Sequence, residues 1–403
     1  MKKSTKTIIF SYLQLSNVGC EIIIRGTIKF LENALSDYDL RFIVPSYDSN
    51  RDRQILKDLP QIEVVPMLSW KRYFRALLRQ TRRFDKYWSP RFSSAAFEKA
   101  DLFVSVGGDI YTIFDGMLPD DWMGYESFAS RRGIPSIMFG ANMENFELLS
   151  GVQRNRLIAH LNRFKLIAVR DDSTSSYLID QNINSPTLVF PDPMYSLRPS
   201  CVVRANKVQR IGLNLSPLTV KKFGPDLIEK YTKIVSDLIN DGYLFSFIPH
   251  VYSTDGDNNL DDRFILRNIY NRLEPIQQKA VKLCDDALGF KKIAIEISEV
   301  DFVIAARMHC CLNAVTLGKP VYFLEYSKKA KTMLKWLVTE TPYAKAASAY
   351  ASTSADAITI EDIRLLIRAI EHLGEAHPDG ISVDLSPQLA TSSIWNVMSG
   401  ILL

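Results

Sequence analysis

Short apolar runs alternate with longer amphipathic segments along most of the chain, and this alternation restricts the fold more than any other feature. Residues 164–169 and 210–215, for example, are apolar runs that precede helical patterns. Strands that alternate with helices form parallel sheets whose faces the helices cover. The polar, basic stretch 198–210 lacks periodicity and separates two such series. The sequence therefore predicts an α/β protein with two Rossmann-like domains, 1–203 and 204–403, that face a cleft, and we expect the last helices to pack back on the first domain.

The composition excludes several classes of protein. The 49 Lys and Arg residues against 45 Asp and Glu residues leave a net charge of only +4, which does not predict binding to nucleic acid. The five cysteines form no C-x-x-C pair, so a reducing cytoplasm is the simplest location. The apolar run at residues 8–10 is short and lacks a cleavage site, which indicates a first strand and not a signal peptide. No run is long enough to predict a transmembrane helix, so we expect any membrane contact to be peripheral.

One basic and aromatic segment, Lys71 to Arg91, departs from this pattern. Its apolar residues are compatible with an amphipathic helix, whose basic face is either simply solvated or contacts an acidic lipid carrier or glycan. The segment is therefore the candidate for a peripheral contact with the inner face of a membrane.

The most informative stretch is 297–331, where a buried strand ends in Ala306-Arg307-Met308-His309 and a helical pattern follows. In a parallel sheet this junction lies at the carboxyl end of the strand, and a helix N-terminus there offers amides to an anion. The next strand leads into Lys328 and Lys329. We expect this stretch to bind a small, highly anionic substrate and to supply a proton, with Arg307 and His309 as the catalytic residues and the two lysines as substrate-binding residues.

Other predicted substrate-binding residues share a position at or just after the end of a strand. They are Gly19, Gly108, Asp109, Asn142, Arg170, Asn214 and His250. For Arg170 the alternative is a purely structural pairing with Asp171, Asp172 or Asp192. The loop 253–262 could bind sugar hydroxyls or a divalent ion, or it is an ordinary exposed turn.

Several common sites have no counterpart in the sequence. There is no G-x-S-x-G elbow, no Walker A loop and no dinucleotide-binding fingerprint. The strand-end histidines His250 and His309 lack a third ligand at suitable spacing, so no metal site is predicted. Arginine and histidine together suit a ligand that carries phosphate and carboxylate groups.

The segment ARMHCCLNAVTLGKPVYFLEY resembles the R-x-H segment, helix, Gly-x-Pro and strand of the polysaccharide pyruvyl transferase family. Val169-Arg170-Asp171 and Asp192-Pro193 match further turns of that family, and the resemblance covers Asn17 to about Lys331. Its members resemble inverting GT-B glycosyltransferases in fold and transfer a pyruvyl group from phosphoenolpyruvate to a sugar.

The resemblance implies a cytoplasmic transferase that forms a pyruvate ketal on a cell-surface polysaccharide, such as an exopolysaccharide, or on its lipid-linked precursor. Arg307 and His309 would contact phosphoenolpyruvate, Arg170 would be another anion contact, and no cofactor is needed. The turns at Cys20, at Gly107-Gly108-Asp109 and at Gly140-Ala141-Asn142-Met143 depart from the family pattern. They lie in the half that by analogy carries the acceptor site. The alternatives are a GT-B glycosyltransferase with a sugar nucleotide donor and a glycan-binding scaffold.

Overall fold

The computed structural model describes most of the chain, and all statements below concern that part. The described residues are 3–67, 99–113, 115–190, 192–198, 200–205, 207–253, 258–286, 288–326, 342–384 and 400. They form two compact units, the first comprising Met1–Gln14 and Ile23–Leu197, and the second comprising Leu15–Ile22 and Arg198–Ser386.

A parallel sheet forms the centre of the first unit, with seven strands in the described residues and the order β3-β2-β1-β4-β5-β6-β7. Its strands are β1 (Thr5–Phe10), β2 (Asp39–Ser46), β3 (Ile62–Pro66), β4 (Leu102–Gly108), β5 (Ser136–Ala141), β6 (Leu166–Val169) and β7 (Thr187–Val189). The helices in this part of the sequence are α1 (Val18–Ala34), α2 (Ser49–Ile55), α3 (Asp120–Ser130), α4 (Gly151–Leu161), α5 (Asp172–Asp180) and the single turn α6 (Met194–Leu197).

The second unit repeats this plan with a parallel sheet of six described strands, ordered β11-β10-β9-β12-β13-β14. Its strands are β9 (Arg210–Asn214), β10 (Leu244–Phe247), β11 (Val281–Leu283), β12 (Phe302–Ala305), β13 (Val321–Glu325) and β14 (Tyr350–Ser354). The helices are α7 (Pro217–Phe223), α8 (Asp226–Asn240), α9 (Asp262–Tyr270), α10 (Pro275–Gln278), α11 (Phe290–Ser298), α12 (Met308–Thr316) and α13 (Ile360–Ala376).

The segment that the sequence indicated to be a linker contains a strand, which corrects that interpretation. β8 (Ser200–Val203) pairs antiparallel with β15 (Ile381–Asp384), and the two form a small separate sheet. Both strands are only four residues long, and a run this short does not show a periodicity that distinguishes a strand from a loop. Their pairing joins segments far apart in the sequence, which local patterns do not reveal.

The helices of the second unit pack by one apolar face each, as α8 illustrates. Its buried residues recur three or four positions apart, which places them on one side of the helix: Leu227, Tyr231, Ile234, Val235 and Leu238. Acidic residues in its first turn, Asp226 and Glu229, lie near the positive end of the helix dipole. The helical periodicity of residues 226–240 in the sequence predicts these bounds, and the structure confirms them.

The core of the second unit joins the sheet to the helices on its face. Residues of α13, including Ile363, Ile367 and Ile370, belong to the same buried cluster as the β9 residues Ile211 and Leu213. This helix thus packs within the second unit, and residues 385–399 lie outside the described part, so packing of the last helices on the first domain stays a prediction. Among the described residues, no helix combines the length and the apolarity needed to span a membrane.

Candidate active site

The strand order of the second sheet reverses between β9 and β12, which pair with Asn214 opposite Ala305. Open parallel sheets bind ligands outside the carboxyl ends of the strands at such a point, because the connections that follow diverge to opposite faces. Arg307 comes directly after this edge and is the N-cap residue of α12. The reversal of strand order thus brings together residues that lie far apart in the sequence.

Asn214 is fully buried and links three of the strand-end segments through its side chain. Its Oδ1 accepts a hydrogen bond from the backbone N–H of Arg307 at 3.0 Å. Its Nδ2 donates to the carbonyl of Ile248 at 2.9 Å and to Oδ2 of Asp262 at 3.2 Å. The hydrogen-bonding groups of the Asn214 side chain are thus engaged by the protein, and they hold these three segments together.

Arg307 forms a close ion pair with Asp262. Its Nη2 lies 2.8 Å and its Nε 3.1 Å from Oδ1 of the carboxylate. The Arg307 side chain keeps 12% of its surface exposed, whereas Asp262 is completely buried. Burial opposes the charge on Arg307, but the Asp262 carboxylate and Tyr326 together outweigh that effect, so the pKa of the guanidinium lies above its ordinary value. The site therefore holds a permanent positive charge at its edge.

His309 lies in the first turn of α12 and packs directly on Gly19. A Cβ placed on Gly19 would lie 2.6 Å from Nδ1 and 2.9 Å from Cγ of the imidazole, well inside contact distance. The ring is half-buried. Two residues that the sequence singled out separately, some 290 positions apart, are thus neighbours within the second unit.

His250 follows β10 and is buried beside the same group of residues. Its Nε2 has no hydrogen-bond partner among the described residues. Burial, and next the nearby charges of His309 and Arg307, hold the pKa of His250 well below its usual value. The imidazole is therefore neutral near pH 7, and it can give or accept one hydrogen bond at Nε2.

The turn that precedes α1 belongs to this unit and fixes Gly19 in place. The backbone N–H of Val18 donates to the carbonyl of His250 at 3.0 Å, and the N–H of Gly19 donates to Oδ1 of Asn17 at 2.9 Å. Oε2 of Glu21 accepts from the N–H of Phe290 at 2.8 Å, at the start of α11. Glu21, which follows Cys20, thus stabilises the N-terminus of α11.

The first unit gathers its predicted residues at the carboxyl ends of β4, β5 and β6. Nη1 of Arg170 lies 2.8 Å from Oδ2 of Asp192, and its Nη2 lies 3.8 Å from Oδ1 of Asp109. Gly108 ends β4, and its carbonyl accepts from the N–H of Asn142 at 3.0 Å.

The pairing with Asp192 is one that we considered as the structural alternative for Arg170. The Arg170 side chain is only 6% exposed, whereas Asp109 is 44% exposed. The side chain of Asn142 donates to Asp171, the N-cap residue of α5. These groups mainly bind one another, so their contact with a substrate stays a prediction.

Two groups of predicted residues cannot be placed. Lys328 and Lys329 lie outside the described residues, and so does the basic segment Lys71 to Arg91.

The loop that ends at Asp262 differs from the open ligand loop that we considered. Asp261 caps α9 and pairs with Arg263, and Asp262 is buried against Arg307. In the described part of the chain, no group of three or more His, Cys, Asp or Glu side chains is placed to hold a metal ion. These two carboxylates are therefore engaged by the protein itself.

Sequence reasoning missed two residues of the site, Asp262 and Tyr326. Tyr326 directly follows β13, and its side chain is hydrogen-bonded to the Arg307 guanidinium. A strand-end position was the available signal for Tyr326. Asp262 offered a weaker signal, an acidic residue at the start of a helix, which by itself suggests only a favourable dipole interaction.

Another histidine, His160, is buried and hydrogen-bonded within the protein, which indicates a structural role. It is buried in α4, with Nδ1 3.0 Å from Oε2 of Glu126 and Nε2 3.0 Å from the hydroxyl of Tyr111. Burial lowers the pKa of His160, although the Glu126 carboxylate opposes this. His372 and His377 lie near the end of α13 and are exposed.

Comparison with known families now identifies the chain. The profile of the family described as polysaccharide pyruvyl transferase matches residues 17–328, which include every described residue of the second-unit site. The chain belongs to the polysaccharide pyruvyl transferase family. It is therefore a transferase that acts in polysaccharide biosynthesis with a glycan acceptor. No curated protein is significantly similar to the chain.

Solved structures show the same GT-B-like fold at low sequence identity. A protein assigned as a UDP-N-acetylglucosamine 2-epimerase from Listeria monocytogenes is 12% identical, with a TM-score of 0.57 over 98% of this chain and 95% of that one. Anabaena Alr3699/HepE, solved with UDP and glucose, is 13% identical, with a TM-score of 0.53 over 98% of this chain and 99% of that one. UDP-GlcNAc 2-epimerase from Methanocaldococcus jannaschii is 13% identical, with a TM-score of 0.51 over 91% of this chain and 92% of that one. Likeness at this level supports the predicted fold class and does not extend to ligands.

Proposed function

We propose that this transferase moves the pyruvyl group of phosphoenolpyruvate onto a sugar of a cell-surface polysaccharide or of its lipid-linked precursor and forms a cyclic ketal. The observation that carries the proposal is the group Arg307, His309 and His250 at the point where the strand order of the second sheet reverses. A fixed cation, a half-buried imidazole and a neutral buried imidazole together suit an ester that carries both phosphate and carboxylate.

The reaction begins with transfer of a proton from His309 to the methylene carbon of phosphoenolpyruvate. The neighbouring carbon then becomes an oxocarbenium-like centre, and a sugar hydroxyl attacks it and loses its proton. A second hydroxyl of the same sugar replaces the phosphate and loses its proton in turn. One of the two hydroxyl protons restores His309, whose own proton has entered the new methyl group, and the other leaves with inorganic phosphate, so the reaction needs no oxidant or reductant.

The other residues bind and stabilise the anion in this scheme. Arg307 offers charge to the phosphate as it leaves, and the N-terminus of α12 adds the positive end of the helix dipole. His250 donates or accepts a hydrogen bond at Nε2, and Lys328 and Lys329 are further candidates for the same anion. Arg170, Gly108, Asp109 and Asn142 are proposed for substrate binding in the first unit. We place the reaction in the cytoplasm, with Lys71 to Arg91 as the segment that contacts a lipid carrier at the membrane.

The test is replacement of His309. His309→Ala is expected to lower phosphate release from phosphoenolpyruvate, in the presence of a panel of p-nitrophenyl hexosides, by at least about 100-fold because the general acid is lost. His372→Ala, the same change on an exposed helix position, should leave the rate unchanged. Near-normal turnover of a folded His309→Ala variant would contradict the proposal.

A sugar nucleotide donor is the alternative that the fold allows. Phosphoenolpyruvate should raise the melting temperature of the wild-type protein, whereas UDP-glucose and UDP-N-acetylglucosamine should not, because only a bound ligand stabilises the folded state. The reverse pattern would favour a glycosyltransferase, and no shift with any donor would favour a glycan-binding scaffold.

A further inference from the structure

The guanidinium of Arg307 has one edge committed to the protein. Nε and Nη2, which share that edge, both face Oδ1 of Asp262, and Nη2 also lies 3.4 Å from the carbonyl of Leu260. A planar guanidinium held along one edge has a fixed orientation, and its remaining Nη1 side points in a defined direction. The ion pair therefore determines which part of Arg307 is presented to a ligand.

Asp262 is itself held by several donors. Its Oδ2 accepts from the backbone N–H groups of His250 and Val251, each at 3.0 Å, and from Nδ2 of Asn214 at 3.2 Å. The carboxylate therefore cannot rotate without breaking bonds inside a fully buried environment, which is costly. The end of β9, the segment after β10 and the start of α9 are thus joined at one carboxylate.

A purely structural role does not account well for this arrangement. A buried ion pair pays a large desolvation cost, and such pairs often contribute little net stability compared with apolar residues of similar size. What the pair does provide is a cation of fixed position and direction. Tyr326, hydrogen-bonded to the same guanidinium, restricts it further. The Tyr326 backbone is itself held, since its carbonyl accepts from Nζ of Lys222 at 2.6 Å.

We propose that Asp262 is the positioning residue of the anion site: it acts through Arg307, whose orientation it fixes so that the Nη1 side of the guanidinium meets the phosphate of the substrate. The inference rests on the proposed function for the identity of that substrate. Asp262 would thus contribute to the proposed active site without contact with the substrate itself.

The experiment compares Asp262→Asn with Asp261→Asn. Both changes neutralise a carboxylate that is paired with an arginine, but only Asp262 holds Arg307. Asp262→Asn should raise KM for phosphoenolpyruvate and lower kcat, with a combined loss on the order of 10- to 100-fold in kcat/KM from misplacement of the guanidinium. Asp261→Asn should keep wild-type kcat and KM. A folded Asp262→Asn variant with wild-type constants would overturn the inference.

A double-mutant cycle separates positioning from general destabilisation. If Asp262 acts through Arg307, then Asp262→Asn should cost nothing further in kcat/KM once Arg307→Met is present. Additive losses would overturn the positioning role. If Asp262→Asn does not fold, Asp262→Glu replaces it, because that variant keeps the charge and displaces it by one methylene group. It should show the same loss, and wild-type constants would again count against the inference.

Failure of the proposed function can be recognised independently. A wild-type protein that releases no phosphate from phosphoenolpyruvate would refute that function. The positioning role would then be measured as affinity for inorganic phosphate by calorimetry. Weaker binding by Asp262→Asn than by wild type and Asp261→Asn would support it, and equal binding by all three proteins would overturn it.

Discussion

The His309 ring can lie against the backbone of Gly19 because glycine has no Cβ atom. The imidazole occupies the space where any other residue at position 19 would place its Cβ. The glycine therefore permits the close approach of the His309 ring, which is a more specific role than the substrate binding that its position after a strand suggested.

Gly19→Ala is the direct test of this contact. The added methyl group should displace the His309 ring and lower kcat on the order of 10- to 100-fold, because small displacements of a catalytic group are costly. Gly151→Ala is the matched control, since an added Cβ there meets no atom within 4 Å. Steady-state phosphate release and the melting temperature of both variants provide the measurement. Wild-type kcat in a folded Gly19→Ala variant would show that the imidazole position is not critical.

The cysteines that follow His309 are poorly suited to act as nucleophiles. Cys310 and Cys311 are buried on α12, and burial raises the pKa of both thiols. A buried, protonated thiol is a small apolar side chain and a poor nucleophile. The two residues therefore serve to pack the helix that carries His309.

At the scale of elements, α12 depends on the small sheet that the sequence did not predict. Gly318 follows the helix with a φ of +72°, and a Cβ there would lie 2.1 Å from the carbonyl oxygen of Val202 in β8. The helix that presents Arg307 and His309 is thus fixed at its far end by β8. A helix held at both ends keeps its first turn in a constant place.

Gly318→Ala should therefore destabilise the protein by more than the strain of a positive φ at residue 318 alone would. Gly242→Ala is the control, because Gly242 also has a positive φ, of +99°, but no atom lies within 4 Å of its Cβ position. We expect the free energy of unfolding in urea to fall by about 1–3 kcal/mol more for Gly318→Ala than for Gly242→Ala, owing to steric overlap with β8. If the free energy of unfolding fell equally in both variants, β8 would accommodate the added methyl group without an energetic cost.

At the scale of the whole molecule, the two units repeat one strand order, and each gathers polar residues at the carboxyl edge of its sheet. Their contents differ in character. Each holds an arginine paired with an aspartate, Arg170 with Asp192 and Arg307 with Asp262, but the second unit also holds the neutral buried imidazole of His250 near this pair. The second unit is accordingly where we expect the donor to bind.

Hydrogen exchange can show which unit binds the donor. Phosphoenolpyruvate should slow amide exchange at the first turn of α12 and at the ends of β9 and β12, because ligand binding suppresses local opening. The ends of β4, β5 and β6 should be unaffected in the absence of an acceptor. Protection confined to those three strands would move the donor to the first unit.

Much of the fold could be predicted because its signals are local. Apolar runs and helical periodicity gave most of the parallel strands and the bounds of α8, and the strand-to-helix junction at Arg307 gave the centre of the site. The strands β8, β11, β14 and β15 were missed, since each has only three to five residues, too few to show a periodicity that distinguishes a strand from a loop.

The sequence by itself determined the fold class and the family, and it singled out Arg307 and His309 as candidates, because strand-to-helix junctions and family motifs consist of consecutive residues. Only the tertiary structure decided that Gly19 lies against His309, that Asp262 holds Arg307, and that Arg170 is paired with Asp192. These contacts join segments distant in the chain, and they follow from which strands become neighbours in the sheets. The order of strands is set by the packing of the whole core, which no single stretch of sequence encodes.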